Sequence, residues 1–284
     1  MTRFSTLILL FALFSFPILG GEQNLSTVQG WSFASSDLVF HPLRANTLEP
    51  RVGIREVSDH SSLRLDIGNS IDVLQYTGEQ LYTVGVDFFT YTKLRSEQNF
   101  HFPVDAVDYL FGFNAGMKDT LRQGILSGRV RLSHISAHMV DGHYDNFAHI
   151  WKDNRNPIVY SREFLDAVCA FEPEALDGQL RIYAGGIYIY HIDPKMLGRT
   201  SWYAGAEFVL PVLRRLSCYA AYQPTLLNIG GWSVRHEVEA GVHVGILHGR
   251  GANIFLAYLS GKSIQGEYYS VTEKTLSLGL SFDL

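Results

Sequence analysis

A histidine and a serine separated by one residue are the first pair in the sequence that could carry catalysis. They are His134 and Ser136, within the segment Ser133–His138. In a β-strand, residues i and i+2 point to the same side, with Cα atoms roughly 6.5–7 Å apart. A neutral imidazole at that separation can reach a serine hydroxyl and remove its proton, which activates a weak nucleophile. The pair therefore indicates serine hydrolase chemistry, in which a third group orients the imidazole.

The elements that would position this pair are strands with two different faces. Along Val234–Ile246 every second residue is apolar or an imidazole, and the residues between are charged or very small. The segment Leu276–Leu284 repeats the alternation. A period of two gives each side chain a direction, and an apolar outside with a polar inside is typical of a transmembrane barrel. We predict an all-β fold: a transmembrane antiparallel up-and-down β-barrel of roughly twelve strands over residues 51–284.

We place the barrel strands in segments that alternate and are separated by turn signals. They are Arg51–Val57, Ser62–Tyr76, Leu81–Thr92, Val104–Gly116, Gly124–Met139, Tyr160–Glu172, Gln179–His191, Ser201–Leu210, Arg214–Tyr222, Val234–Ile246, Asn253–Ser260 and Lys274–Leu284. Short turns at one end and mostly long connections at the other match periplasmic and external ends, respectively.

The direction of each side chain brings a carboxylate into the candidate site. Val130 faces lipid in this register, and if the register continues, His134 and Ser136 face the same way. Glu163 opens the next strand and shares the parity of the apolar Leu165. The three groups would then meet at the outer-leaflet interface, where polar side chains on the lipid face cost little.

The segment His134–Ser136 is similar to the His-x-Ser arrangement of outer-membrane phospholipase A and of the lipid A deacylase barrels, which are lipid-facing serine hydrolases. That resemblance implies Ser136 as the nucleophile, His134 as the base and Glu163 as the orienting group. A broader resemblance is to an uncharacterised bacterial outer-membrane barrel family known as a domain of unknown function, and it implies an envelope barrel without a particular activity. Its landmarks are Leu38–Leu43, Leu48–Arg51, Ser133–His138, Tyr160–Glu163 and Gly261–Gly266.

A metal site is an alternative use of the same region. Besides His134, the strand and the following loop carry His138, Asp141, His143 and Asp145 at irregular spacing. Imidazoles suit Zn²⁺ and carboxylates suit Ca²⁺, so a divalent cation such as Ca²⁺ is the cofactor this cluster would hold.

Two further interpretations need no chemistry. Small polar side chains and histidines at a strand end can simply contact lipid headgroups, as interfacial aromatics do. A β-bulge near Ser133 would reverse the register and turn His134 and Ser136 into the lumen.

Charged residues with inward parity predict a charge network in the lumen. Twelve strands would leave an interior narrower than that of the porins. The alternative function is therefore a non-enzymatic barrel, either a narrow channel whose lining selects solutes or a structural or binding envelope protein. The inward-facing charges are Arg162, Arg181, Arg235, Glu237, Glu239 and His243.

The N-terminal region predicts export. Residues 1–21 have the basic start and short apolar run of a secretory signal peptide. Residues 22–50 do not alternate cleanly, which indicates a periplasmic lead-in or a partial plug. The expected location is the bacterial outer membrane, with membrane lipid and the outer-membrane assembly machinery as partners. A net charge of −5 argues against nucleic-acid binding, which needs a basic face.

Overall fold

The computed structural model describes residues 29–34, 38–58, 61–246 and 249–284, and most of these lie in β-strands. The expected signal peptide, residues 1–21, and the first part of the expected lead-in lie outside the described residues. Within the described ranges, no helix is long and apolar enough to cross a membrane.

Twelve of the fifteen strands in the described residues form a closed antiparallel barrel. Each barrel strand pairs with its sequence neighbours in the barrel, and the first pairs with the last to close it. The fold class predicted from the alternation is confirmed, including the number of strands. The barrel strands are β2 (Val52–Val57), β3 (Ser62–Thr77), β4 (Leu81–Arg95), β5 (Val104–Leu121), β6 (Gly124–Met139), β9 (Tyr160–Pro173), β10 (Leu180–Asp193), β11 (Thr200–Leu213), β12 (Leu216–Asn228), β13 (Trp232–Gly245), β14 (Gly251–Lys262) and β15 (Thr272–Asp283).

Three short strands lie outside the barrel wall. β1 (Gly30–Phe33) pairs with the end of β3, whereas β7 (Tyr144–Asp145) and β8 (Ile150–Trp151) form a small hairpin. That hairpin belongs to the long connection between β6 and β9. We call the end of the barrel that carries this connection the outer end, since long loops mark the external side of such barrels.

The two faces of the barrel wall differ as the alternation requires. On β13, Val234, Val238 and Val242 are exposed on the outside, whereas Glu237 and Glu239 are buried inside. All six charged residues with inward parity are buried in the interior. An apolar outer face around a polar interior is typical of a barrel that crosses a lipid bilayer.

Residues 38–50, which precede the first barrel strand, lie inside the barrel, and we call this segment the plug. Leu43 and Glu49 are fully buried there. The Glu49 carboxylate accepts hydrogen bonds from both terminal nitrogens of Arg129, at 2.9 and 2.5 Å. Arg131 also pairs with Glu49, at 3.3 Å, and with Asp166, at 2.8 Å. These bonds join the plug to the barrel wall.

The outer end of the interior is closed by the connection between β14 and β15. The Gly266 N–H donates to Asp108 Oδ2 at 2.7 Å, and Glu267 accepts N–H bonds from Met139 and Ile158, both at 3.1 Å. Below this connection, apolar side chains form a core inside the barrel, among them Phe89, Tyr91, Leu110, Ile135 and Ile189. The interior is thus packed at both ends rather than open as a wide pore.

Candidate functional site

The outward direction of the His–Ser pair follows from the regular pairing of β6. His134 and Ser136 are partly exposed and share a face with the exposed Val130 and Leu132, whereas Ile135 between them is fully buried. β6 pairs with β5 and with β9 without a register shift. The bulge that would have turned the pair into the lumen is absent from β6. Both side chains therefore lie on the outer surface, near the outer end of the barrel.

The structure brings the imidazole of His134 and the carboxylate of Glu163 into direct contact. The two residues are opposite each other on β6 and β9. His134 Nδ1 lies 2.6 Å from Glu163 Oε1, and each side chain keeps 27% of its surface exposed. A carboxylate at Nδ1 orients the ring and leaves Nε2 as the atom that can take a proton. Within the described part of the chain, no other hydrogen bond involves the His134 ring.

Ser136 lies two residues along the same face, with Ser161 of β9 and Tyr109 of β5 as its cross-strand neighbours. Among the described residues, no hydrogen bond joins His134 to Ser136. The structure thus unites two of the three candidate catalytic residues and places the third beside them without direct contact. Catalytic hydrogen bonds are often longer in free enzymes and tighten when substrate binds.

A second imidazole, which the sequence pattern does not predict, binds the other carboxylate oxygen. His191 Nδ1 lies 2.5 Å from Glu163 Oε2. The register of β9 with β10 shifts between Ile189 and His191, so Tyr190 and His191 both point outward. Strict alternation would place His191 inside the barrel. The missing signal is this bulge, which leaves no mark in a pattern of period two.

Aromatic contact further restricts the His134 ring. The ring centroid of Phe111, on β5, lies 4.9 Å from that of His134. The imidazole is therefore held between Phe111 on one side and Glu163 on the other. The Glu163 carboxylate, the His134 imidazole and the Ser136 hydroxyl thus lie near one another on the outer face of the barrel wall. Groups of these three types are the ones that serine-dependent acyl transfer uses.

The four residues considered as metal ligands are not brought together. His138 faces outward against the ring of Tyr109, whereas His143 is buried and its Nε2 donates to the carbonyl oxygen of Lys152 at 2.9 Å. Asp145 accepts backbone N–H bonds in its own loop, and Asp141 lies in the turn before His143. In the described ranges, no three His, Cys, Asp or Glu side chains are arranged to hold a metal ion.

Comparisons with known proteins address the fold and the family. No curated protein matches the chain. Among solved structures, the chain is similar to the β domain of the Bordetella autotransporter Brka, at 13% sequence identity and a TM-score of 0.40. That match covers 82% of this chain and 96% of the other.

The family model described as a protein of unknown function, DUF1207, matches residues 101–284. The matched region includes the candidate site residues on β6, β9 and β10, and it confirms the predicted resemblance to an uncharacterised family. Since this match spans more than half of the chain, the protein belongs to the DUF1207 family.

Proposed function

We propose that this chain is a bacterial outer-membrane β-barrel that hydrolyses acyl esters of membrane lipids, either phospholipid or lipopolysaccharide. The observation that carries the proposal is the 2.6 Å contact between His134 Nδ1 and Glu163 Oε1 on the outer face, beside Ser136. This contact orients the base of a serine hydrolase on a surface that lipid can reach.

The reaction follows from the roles of the three groups. Ser136 Oγ attacks the ester carbonyl carbon while its proton moves to His134 Nε2, and a tetrahedral oxyanion forms. Collapse of this intermediate breaks the bond to the alcohol, which leaves with the proton from His134. Water then attacks the acyl-serine, again deprotonated by His134, and releases the fatty acid and the free Ser136 hydroxyl. Glu163 stabilises the imidazolium that forms in each half-reaction.

The packed interior supports an outer-face site. The plug, the β14–β15 connection and the apolar core occupy the lumen, so the outer face is the surface with room for a lipid. The candidate residues lie near the outer end, where an ester group at the boundary between headgroup and hydrocarbon would come into contact with them.

Replacement of the nucleophile tests the proposal. Ser136→Ala is expected to abolish fatty-acid release from phospholipid and lipopolysaccharide vesicles by the purified, refolded barrel. Ser133→Ala is the matched control, because Ser133 lies on the same strand but is buried on the inner face. We expect the control to keep wild-type turnover. Full activity in Ser136→Ala, or no lipid turnover by the wild type, would overturn the proposal.

The second candidate is a non-enzymatic envelope barrel. The packed interior favours a structural or binding role over a channel within this class. The wild-type protein would then release no fatty acid from any lipid and would conduct no current in planar bilayers.

A further inference from the structure

A broad depression lies on the outer surface just below the candidate site. It spans β4, β5, β6, β9, β10 and β11 and has a volume of about 850 Å³. Small residues with outward parity form its floor, and large apolar or aromatic side chains stand around it. The floor includes Gly128, Ala167 and Gly186, and the walls include Leu165, Tyr188 and Trp202.

The depression exists because the outward-facing residues of its floor have small side chains. Ala167 of β9 lies opposite Val130 of β6 and Gly186 of β10. The six-membered ring of Trp202 comes within 2.7 Å of where a Cβ on Gly186 would lie, so the indole leans over that glycine as a wall. On the far side of the barrel, by contrast, the outward residues Val242, Ile254 and Leu256 are large and exposed.

The upper end of the depression lies close to the candidate site along β9. Leu165 at its upper end is two residues from Glu163, and Cys169 at its lower end is six residues from it. At about 3.3 Å per residue, the depression runs from about 7 Å to about 20 Å below the carboxylate. Barrel strands tilt by about 35–45°, so 20 Å along the strand is about 15 Å of depth. That depth equals half of a hydrocarbon core of about 30 Å, which is the layer occupied by the acyl chains of one leaflet.

From the position and depth of the depression we propose that it binds one long acyl chain of the lipid whose ester is cleaved at Ser136. We propose further that it selects substrates by chain length. The inference rests on the proposed function for its catalytic part. Its occupant is a lipid acyl chain because the surface is apolar, faces the hydrocarbon layer and has the ester-cleaving groups at its headgroup end.

Two native cysteines offer a matched test of chain binding that needs no activity. Cys169 lies in the depression, and Cys218 lies on β12; both are exposed and unbonded. Each is measured alone, in the full chain carrying Cys218→Ala or Cys169→Ala. The protein is held in short-chain detergent, and the rate of reaction with dithiodipyridine is followed as long-chain or short-chain phosphatidylcholine is added.

We expect long-chain phosphatidylcholine to slow the reaction of Cys169 several-fold and to leave that of Cys218 unchanged, while the short-chain lipid affects neither. Ala167→Phe, which fills the floor, should remove the protection of Cys169. If lipid slows the reactions of the two cysteines equally, or does not slow that of Cys169, the depression does not bind an acyl chain. This conclusion holds even if the Ala167→Phe variant does not fold.

A hydrolysis assay is the second test of the proposal. Ala167→Phe should lower turnover of long-chain esters by about tenfold or more and leave short-chain esters unaffected. The control is Ala240→Phe, an exposed outward alanine on β13. The wild type could hydrolyse esters while lipid fails to protect Cys169 and Ala167→Phe leaves the chain-length profile unchanged. That result would refute acyl-chain binding in the depression but not the proposed hydrolase. Protection of Cys169 without hydrolysis by the wild type would refute the hydrolase and leave a lipid-binding surface.

Discussion

The inner and outer faces of β6 carry polar groups of similar kinds in different surroundings. On the inner face, Arg129 and Arg131 are buried and bind the fully buried Glu49 of the plug. On the outer face, His134 pairs with a wall residue, Glu163, and both remain partly exposed. The inner set joins separate parts of the chain, so its contribution is to stability. The outer set joins only neighbouring strands and stays accessible, which suits a role in chemistry.

Removal of the inner carboxylate should produce the largest loss of stability. In Glu49→Gln the charges of Arg129 and Arg131 lose a buried partner, which costs about 3–5 kcal/mol in comparable pairs. The measurement is urea unfolding of the barrel in lipid vesicles. Glu79→Gln is the control, since Glu79 is an exposed carboxylate in the turn between β3 and β4. A loss no larger than that of the control would show that the plug does not depend on this ion pair.

Acid should weaken the same contact in the wild-type protein. Burial alone would raise the pKa of Glu49, which belongs to the plug and not to a barrel strand, but Arg129 and Arg131 lower it from 4.5 to about 2. A carboxylate with a lowered pKa stabilises the folded state fully above its ordinary pKa and loses that contribution as pH falls through the folded value.

We therefore expect the free energy of unfolding to fall by about 3 kcal/mol between pH 4.5 and pH 2, at 1.36 kcal/mol per pKa unit. Urea midpoints measured across this range give the slope. Glu49→Gln should lack this component of the slope, and an identical acid response in the two proteins would assign the acid sensitivity to other carboxylates.

The two faces of β6 also differ in what the sequence alone predicts. Alternation predicts the strands and the direction of each side chain, because a strand has a fixed period of two. It therefore predicts that His134 and Ser136 face outward and share a side with Glu163. Distances between groups depend on strand pairing and rotamers, so the contact of His134 with Glu163 and the separation of His134 from Ser136 need the structure. His191 escapes prediction because a bulge changes its direction.

The partnership of Glu49 with Arg129 is also invisible in the pattern, for a different reason. Glu49 lies in a segment without regular alternation, and its partner is 80 residues away along the chain. Nothing in local spacing relates the two. The depression across β9 is an intermediate case. Its small residues are visible in the sequence, but their convergence depends on the register of six strands.

Glu163→Gln should have the smallest effect on stability and thereby separates the two faces. An amide keeps the shape of the carboxylate, and ion pairs that remain partly exposed contribute only about 0–1 kcal/mol. We expect the free energy of unfolding, measured in urea, to change by less than about 1 kcal/mol. Ester hydrolysis should fall by about a hundredfold or more, since the amide no longer stabilises the imidazolium of His134.

The combination of the two measurements decides the interpretation of Glu163. A loss of stability as large as that of Glu49→Gln would show that the His134–Glu163–His191 cluster stabilises the fold, as the ion pairs of Glu49 do inside the barrel. Unchanged hydrolysis with unchanged stability would remove Glu163 from the catalytic groups and leave His134 to act with Ser136 alone. A stable barrel with impaired hydrolysis is the result expected if the polar groups on the inner face of β6 hold the fold and those on its outer face do the chemistry.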